Sequence, residues 1–318
     1  MLVQQLSALA VHFLFTFVLS SNGSAATGRH SCMAGDGGLY NERGEVPRLG
    51  EAARRCDLEA LREILSAGVD VDYPNSPDRR TALQLCCGKS HQYGVQGPPL
   101  ADRIACVEFL LANGASPNAG APGNPGQGTY STNGVKSTNL TPLMRAGYHA
   151  HVEIVQLLLS AGADVNVLQV YFDEAEHDEE HWTALAWASL PYPGTDRAHC
   201  EAIIEAMIRA GADANPPGWH GKTVMQRVIA DGRRRIWPVL LRAGAILPTG
   251  DVRRHGYPIY IHPEHPYLQK IETAGGWKAY EKAHRTKLLA TFVPKFTHLV
   301  PPELVPLIVE FSFHIGFY

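Results

Sequence analysis

Residues 141–166 read TPLMRAGYHAHVEIVQLLLSAGADVN. Val152, Val155, Leu158 and Leu159 recur at the three- and four-residue spacing of one apolar helix face, so the later part of the stretch predicts an amphipathic helix. Thr141 stands where its hydroxyl can cap the exposed N–H groups of a shorter helix. Pro142 falls in the first turn of that helix, where a missing N–H does no harm. Gly162 follows the second helix, where a positive φ is needed to end it. A turn and two antiparallel helices are therefore expected, and neither helix can bury its apolar face alone, so such units must stack.

The same pattern continues on both sides. From Thr81 the chain reads TALQLCC and then CVEFLLANGASPN, ending at Asn118; from Thr183 it reads TALAWASL and then CEAIIEAMIRAGADAN, ending at Asn215. From Thr223, TVMQRVIADGRRRIWPVLLRAGA ends at Ala245, and LGEAARRCDLEALREILSAGVDVD occupies 49–72. Gly68, Gly114, Gly211 and Gly244 take the place of Gly162. This array resembles the ankyrin repeat family, whose unit is about 33 residues. The resemblance implies an all-α fold: an ankyrin-repeat solenoid of stacked helix-turn-helix units, five complete and a degenerate sixth, closed by a C-terminal helical cap. It also implies a monomeric scaffold that binds a protein partner through its finger loops and inner helices, with no cofactor and no metal.

Spacing locates what is unusual. From the opening Thr to the closing Gly the distance is 21 residues in the units at Thr141 and Thr223, 33 at Thr81 and 28 at Thr183. From each Gly to the next Thr it is 13, 27, 21 and 12 residues along the chain. The excess marks insertions within helix pairs, at Gly88 to Asp102 and Pro191 to Arg197, and in the turns between units, at Ala115 to Asn139 and Val167 to His181. The two long inter-unit fingers are consecutive and should project side by side, where loops on a rigid scaffold carry binding.

The finger Ala115–Asn139 holds five Gly and three Pro and reads as a flexible, weakly structured arm. The second carries six carboxylates between Asp173 and Glu180 and reads as a charged loop, able to meet a basic partner or simply solvated. Candidate partner-binding residues are Tyr130, Asp173, Glu174, Glu176, Asp178, Glu179, Glu180, Trp182 and Trp219, with Trp187 beside them; each Trp could instead pack between units. His177 and His181 lie in the expected loop without a Cys partner and read as surface histidines, and no EF-hand spacing is present. Arg233-Arg234-Arg235 reads as a turn, solvated or touching an anionic partner.

Composition narrows the classes. The 318 residues are 45% hydrophobic, enough for a core, and Lys+Arg 28 against Asp+Glu 31 argues against a broad cationic surface for nucleic acid. There is no GxSxG, HExxH, kinase signature or Gly-rich phosphate loop, so the reading is not an enzyme.

The ends read separately. Residues 1–26 lack Lys, Arg, Asp and Glu, and Leu6 to Leu19 is almost wholly apolar, too short for a comfortable membrane span. This predicts a signal peptide cleaved after Ala26, although its start carries no basic side chain; translation from Met33 is the alternative. Localisation follows that choice, secretory pathway or cytoplasm, with no stable span in the mature chain. Cys86, Cys87, Cys106 and Cys200 lie in apolar helical patterns and read as reduced core thiols, which suits a reducing compartment. Residues 27–46 read as a flexible segment, 47–247 as the repeat domain, 248–276 as a half repeat and 277–318 as the cap. Within the cap, LVPPELVPLI from Leu299 behind a basic helix resembles a SOCS box or the opening of an F-box. That resemblance implies a second role, as substrate-recognition subunit of a ubiquitin ligase with the tail as adaptor handle. It departs from the SOCS box in having no Cys after Cys200.

Overall fold

A computed structural model describes residues 47–74, 79–88, 97–124, 130–132, 135–173, 178–190, 195–216, 223–248, 253–254, 257–258, 265–296, 301 and 303–307. The segments read as signal peptide and as flexible N-terminal stretch lie outside the described residues. Helices pair in order: α1 (Pro47–Arg55) with α2 (Leu58–Ser66), α3 (Ala82–Cys86) with α4 (Leu100–Ala112), and α5 (Pro142–Tyr148) with α6 (Val152–Ser160). Then come α7 (Ala184–Ser189) with α8 (Arg197–Arg209), and α9 (Val224–Ala230) with α10 (Trp237–Arg242), the last pair joined through a 3₁₀ turn at Arg234–Ile236. The first helices of successive pairs pack on one another, as do the second helices, so the apolar faces close into one continuous core.

Local chemistry sets each helix end. The Thr81, Thr141, Thr183 and Thr223 hydroxyls accept from the N–H groups of Gln84, Met144, Ala186 and Gln226 at 3.2–3.3 Å. Gln84 and Gln226 return the bond to the Thr81 and Thr223 N–H groups, which completes a capping box. At the other end of α6, Gly162 has φ +86°, its N–H donates to the Leu159 carbonyl, and the Ala163 N–H donates to the Leu158 carbonyl. This double closure needs a residue in the left-handed region, which explains why Gly recurs there.

An amide ladder joins the units outside the core. The Asn118 side chain donates to Gly162 O and accepts from Asp164 N; Asn166 does the same with Gly211 O and Asp213 N, and Asn215 with Gly244 O and Ile246 N. The Asp72 carboxylate opens the series by accepting from Ser116 N at 3.0 Å. Each unit's closing Asn or Asp therefore satisfies backbone groups of the next unit.

Two buried arginines hold the insertions within pairs. Arg103, 2% exposed, donates to the carbonyls of Cys86, Gly88 and Pro98, tying together both ends of the Gly88–Asp102 insertion. Arg233, also 2% exposed, donates to Ser189 O at 3.1 Å and to Asp231 Oδ2 at 2.9 Å. Its expected place in a solvated or partner-facing turn is corrected: it fastens the fifth unit to the end of α7, and only Arg234 and Arg235 are exposed.

Beyond Ala245, within the stretch expected to be a half repeat, α11 (Pro266–Thr273) buries Leu268 and Ile271. Where a first helix would stand, Arg253–Arg254 pairs antiparallel with Tyr257–Pro258. Helix α12 (Trp277–Phe296) then docks its opening turns: Tyr280 meets Tyr267 edge-on at 5.7 Å, and Arg242 bonds Glu281 at 2.7 Å.

Candidate interaction surface

Among the described residues, both fingers carry strands. Strands β1 (Tyr130–Thr132) and β2 (Val135–Thr138) come from the first finger, and β3 (Gln169–Asp173) and β4 (Asp178–Trp182) from the second. They form one antiparallel sheet in chain order, with β2 and β3 pairing across the two fingers from Val135↔Asp173 to Thr138↔Val170. Over 130–132 and 135–138 the expected weakly structured arm is corrected to strand, and over 178–181 the expected loop is corrected likewise. Each finger supplies a hairpin, and each hairpin gives the other a neighbour, without which a lone hairpin is marginal in water.

Polar contacts fix the sheet's base. The Gln84 amide donates to Leu140 O at 2.6 Å and to Ala119 O at 3.4 Å, closing the root of the first finger. Gly120, φ +86°, lies against that amide and the Leu140 carbonyl; an added Cβ would come within 2.3 Å of both, so the closure requires glycine there. The Asn139 amide donates to Leu168 O at 3.2 Å and joins the roots of the two fingers.

Aromatic side chains tie the second finger to the inner helices. Trp182 is 5% exposed, its ring centroid is 4.5 Å from that of Trp187, and its Nε1 donates to Glu180 Oε2 at 3.1 Å. Trp187, on α7, donates to buried Gln169 Oε1 at 2.6 Å and meets Tyr148 of α5 edge-on at 5.0 Å. Tyr148 in turn meets His149 at 5.1 Å, and His149 stacks on His151 at 6.0 Å. A chain of rings thus runs from the end of β4 across the inner helices of the third and fourth units.

The expected contact residues divide accordingly. Tyr130 lies on β1 opposite Ser137, and Asp173 ends β3 opposite Asp178. Glu179 and Glu180 follow on β4 opposite Phe172 and Tyr171. Glu174, Glu176, His177 and Trp219 lie outside the described residues. Trp182 and Trp187 pack where finger meets helix, the second of the two roles open to them. His181 sits on β4, and among the described residues no group of three or more His, Cys, Asp or Glu side chains is placed to hold a metal ion. No described helix is long and apolar enough to cross a membrane.

Sequence reasoning passed over Tyr148 and Gln169, which complete the junction. It also passed over the Asn133-Gly134 pair between β1 and β2, the dipeptide that two-residue hairpin connections favour most.

Residues 49–169 match the ankyrin repeat family, in three copies. The chain is 27% identical over 169 residues to an ankyrin repeat and KH domain-containing protein of Caenorhabditis briggsae, a match that takes in 49% of this chain and 6% of that protein.

Proposed function

We propose that this chain, similar to the ankyrin repeat family over residues 49–169, is a monomeric, non-catalytic scaffold whose protein partner presents a basic surface to the finger sheet. Ankyrin repeats are in general protein–protein interaction modules. The observation that carries the finer reading is the junction of Trp182, Trp187, Gln169 and Tyr148. In this reading the junction sets the direction of β4, with Asp178, Glu179 and Glu180 in its sequence, before any partner arrives, so less freedom is lost on binding. Carboxylates concentrated on a fixed ribbon select opposite charge and speed its encounter.

The test is capture on the immobilised full chain and on a variant with Asp178→Asn, Glu179→Gln and Glu180→Gln. The variant should keep its helicity and retain at least about tenfold less of the principal bound protein, with the difference shrinking in high salt. Equal retention by both would overturn the acidic-ribbon reading and leave the general scaffold.

A second reading rests on the tail. Leu304 and Leu307 are 45% and 59% exposed on either side of fully buried Val305, an apolar pair available to an adaptor. If the tail recruits a ubiquitin ligase, Leu304→Asp with Leu307→Asp should abolish co-purification of ligase components and keep the target. No ligase component with either chain sinks this reading.

A further inference from the structure

Three thiols meet at the interface of the first two units. Cys56 follows α1, Cys86 ends α3 and Cys106 lies in α4. The Cys56 and Cys86 Sγ atoms both point at the Ala53 carbonyl, at 3.6 and 3.3 Å, so two thiols from different units share one acceptor. Cys106, fully buried on α4, belongs to the same cluster: each of the three thiols shifts the protonation of the other two. Cys86 and Cys106 are fully buried and Cys56 is 6% exposed, which leaves Cys56 as the member that a small solute reaches first. Five cysteines, these three with Cys87 and Cys200, are free.

Buried Arg103 stands by the cluster. It binds three carbonyls and has an unpartnered Nη2, and among the described residues no carboxylate pairs with it. A buried guanidinium without a counter-charge favours an anion nearby, and the anion available is a thiolate. Hydrogen bonds from Cys106 and then Cys86 hold the Cys56 thiol down to about 4 against the opposing effect of burial, with Arg103 and His151 adding attraction. Cys106 is pushed up to about 12, first by its bond to Cys56, and Cys86 is also raised, so both remain protonated donors. Cys87, one residue along, is pushed up to about 12 by burial alone in the main, and so remains an unactivated thiol.

We propose that Cys56, Cys86 and Cys106 form an oxidative modification site, at which a hydroperoxide converts Cys56 and one neighbouring thiol into a disulfide that staples the first helix pair to the second. Cys56 gives up the proton it directs at the Ala53 carbonyl, its thiolate attacks the terminal peroxide oxygen, the O–O bond breaks, and the departing oxygen takes up a proton, so the products are a sulfenic acid and water or an alcohol. The thiol of Cys86 or Cys106 then attacks the Cys56 sulfur, the S–O bond breaks, and water leaves. In sum two thiols lose two electrons and two protons, and the peroxide is reduced. Either pairing crosses the same unit boundary.

The experiment treats the reduced full chain with hydrogen peroxide, counts thiols in denaturant and maps cross-linked peptides by mass spectrometry. Two thiols should be lost per chain, with Cys56 joined to Cys86 or Cys106. C56S should lose thiols at least about tenfold more slowly, and C87S should behave as the parent. Because C56S could fail to fold, its circular dichroism is recorded, and the linkage mapped in C87S stands independently. The proposal is overturned if no thiol is lost, if Cys56 passes to sulfinic acid without a cross-link, or if the cross-links instead join Cys32, Cys87 or Cys200.

Discussion

Helix α6 and strand β3 follow one another in the chain, yet they are held in different ways. Helix α6 buries Ile154, Val155 and Leu158 between the helices before and after it and is closed by its own glycine. Strand β3 has no such face of its own; it exists as the middle of a sheet, with β2 on one side and β4 on the other. The stack is built of local units that reinforce neighbours, whereas the finger sheet is built of pairing between two insertions separated by a whole helix pair. Substitutions in the two regions should accordingly fail differently.

The largest effect is expected at Leu158. It is fully buried, and Leu158→Ala would leave a cavity costing about 2–5 kcal/mol. Because each unit is stabilised by its neighbours, the loss should weaken units on both sides. Denaturant unfolding should show a lower midpoint, and hydrogen exchange should speed in α4 and α8 as well as α6. Change confined to α6 would show that the units are less coupled than their packing implies.

Val170→Pro should do the reverse. With a partner strand on each side of β3, the Val170 N–H faces one strand or the other, and Pro removes it. Exchange protection across 169–182 should fall at least about tenfold, or roughly 1.4 kcal/mol of local opening, while α6 and α8 keep theirs. Unaltered protection in the fingers would mean that the Trp182–Trp187 junction alone holds them.

A smaller effect is expected at Asn166, whose amide donates to Gly211 O at 3.1 Å and accepts from Asp213 N at 2.9 Å. Both bonds are exposed, so Asn166→Ala should cost about 1 kcal/mol, with water replacing part of what is lost. The thermal midpoint should drop slightly and the finger sheet should be untouched.

This contrast also explains what the sequence made legible. The Thr caps, the closing glycines and the apolar spacing of α6 act within a few residues, so each unit announces itself, and even the insertions follow by subtraction. The Asn ladder was visible only as a shared ending, because its partners lie a unit away. The sheet was hidden for a stronger reason. Five glycines in the first finger suggested flexibility, and the carboxylates of β4 suggested solvent, whereas the register that orders both comes from β2 meeting β3. Arg233 follows the same rule: nothing within the basic run signals that the Ser189 carbonyl takes a donor from it across the unit boundary.

The smallest effect should fall at the cap, which is neither stacked like α6 nor paired like β3. Helix α12 is attached by rings, Tyr280 on Tyr267 and Arg242 over Trp277 at 5.7 Å, and by the Arg242–Glu281 ion pair at 2.7 Å. Both charged groups are partly exposed, so the Coulomb gain is screened and the side chains lose freedom in pairing; Glu281→Gln should cost about 0.2–1 kcal/mol. Tyr280→Ala removes a half-buried ring and should cost more than Glu281→Gln. Comparing the two by thermal unfolding at low and high salt separates the contributions: the glutamine variant's deficit should shrink with salt, and the alanine variant's should not. An equal or larger deficit for Glu281→Gln would show that the cap is fastened by charge, and would place it closer to the ladder than to the core in the way it holds the stack.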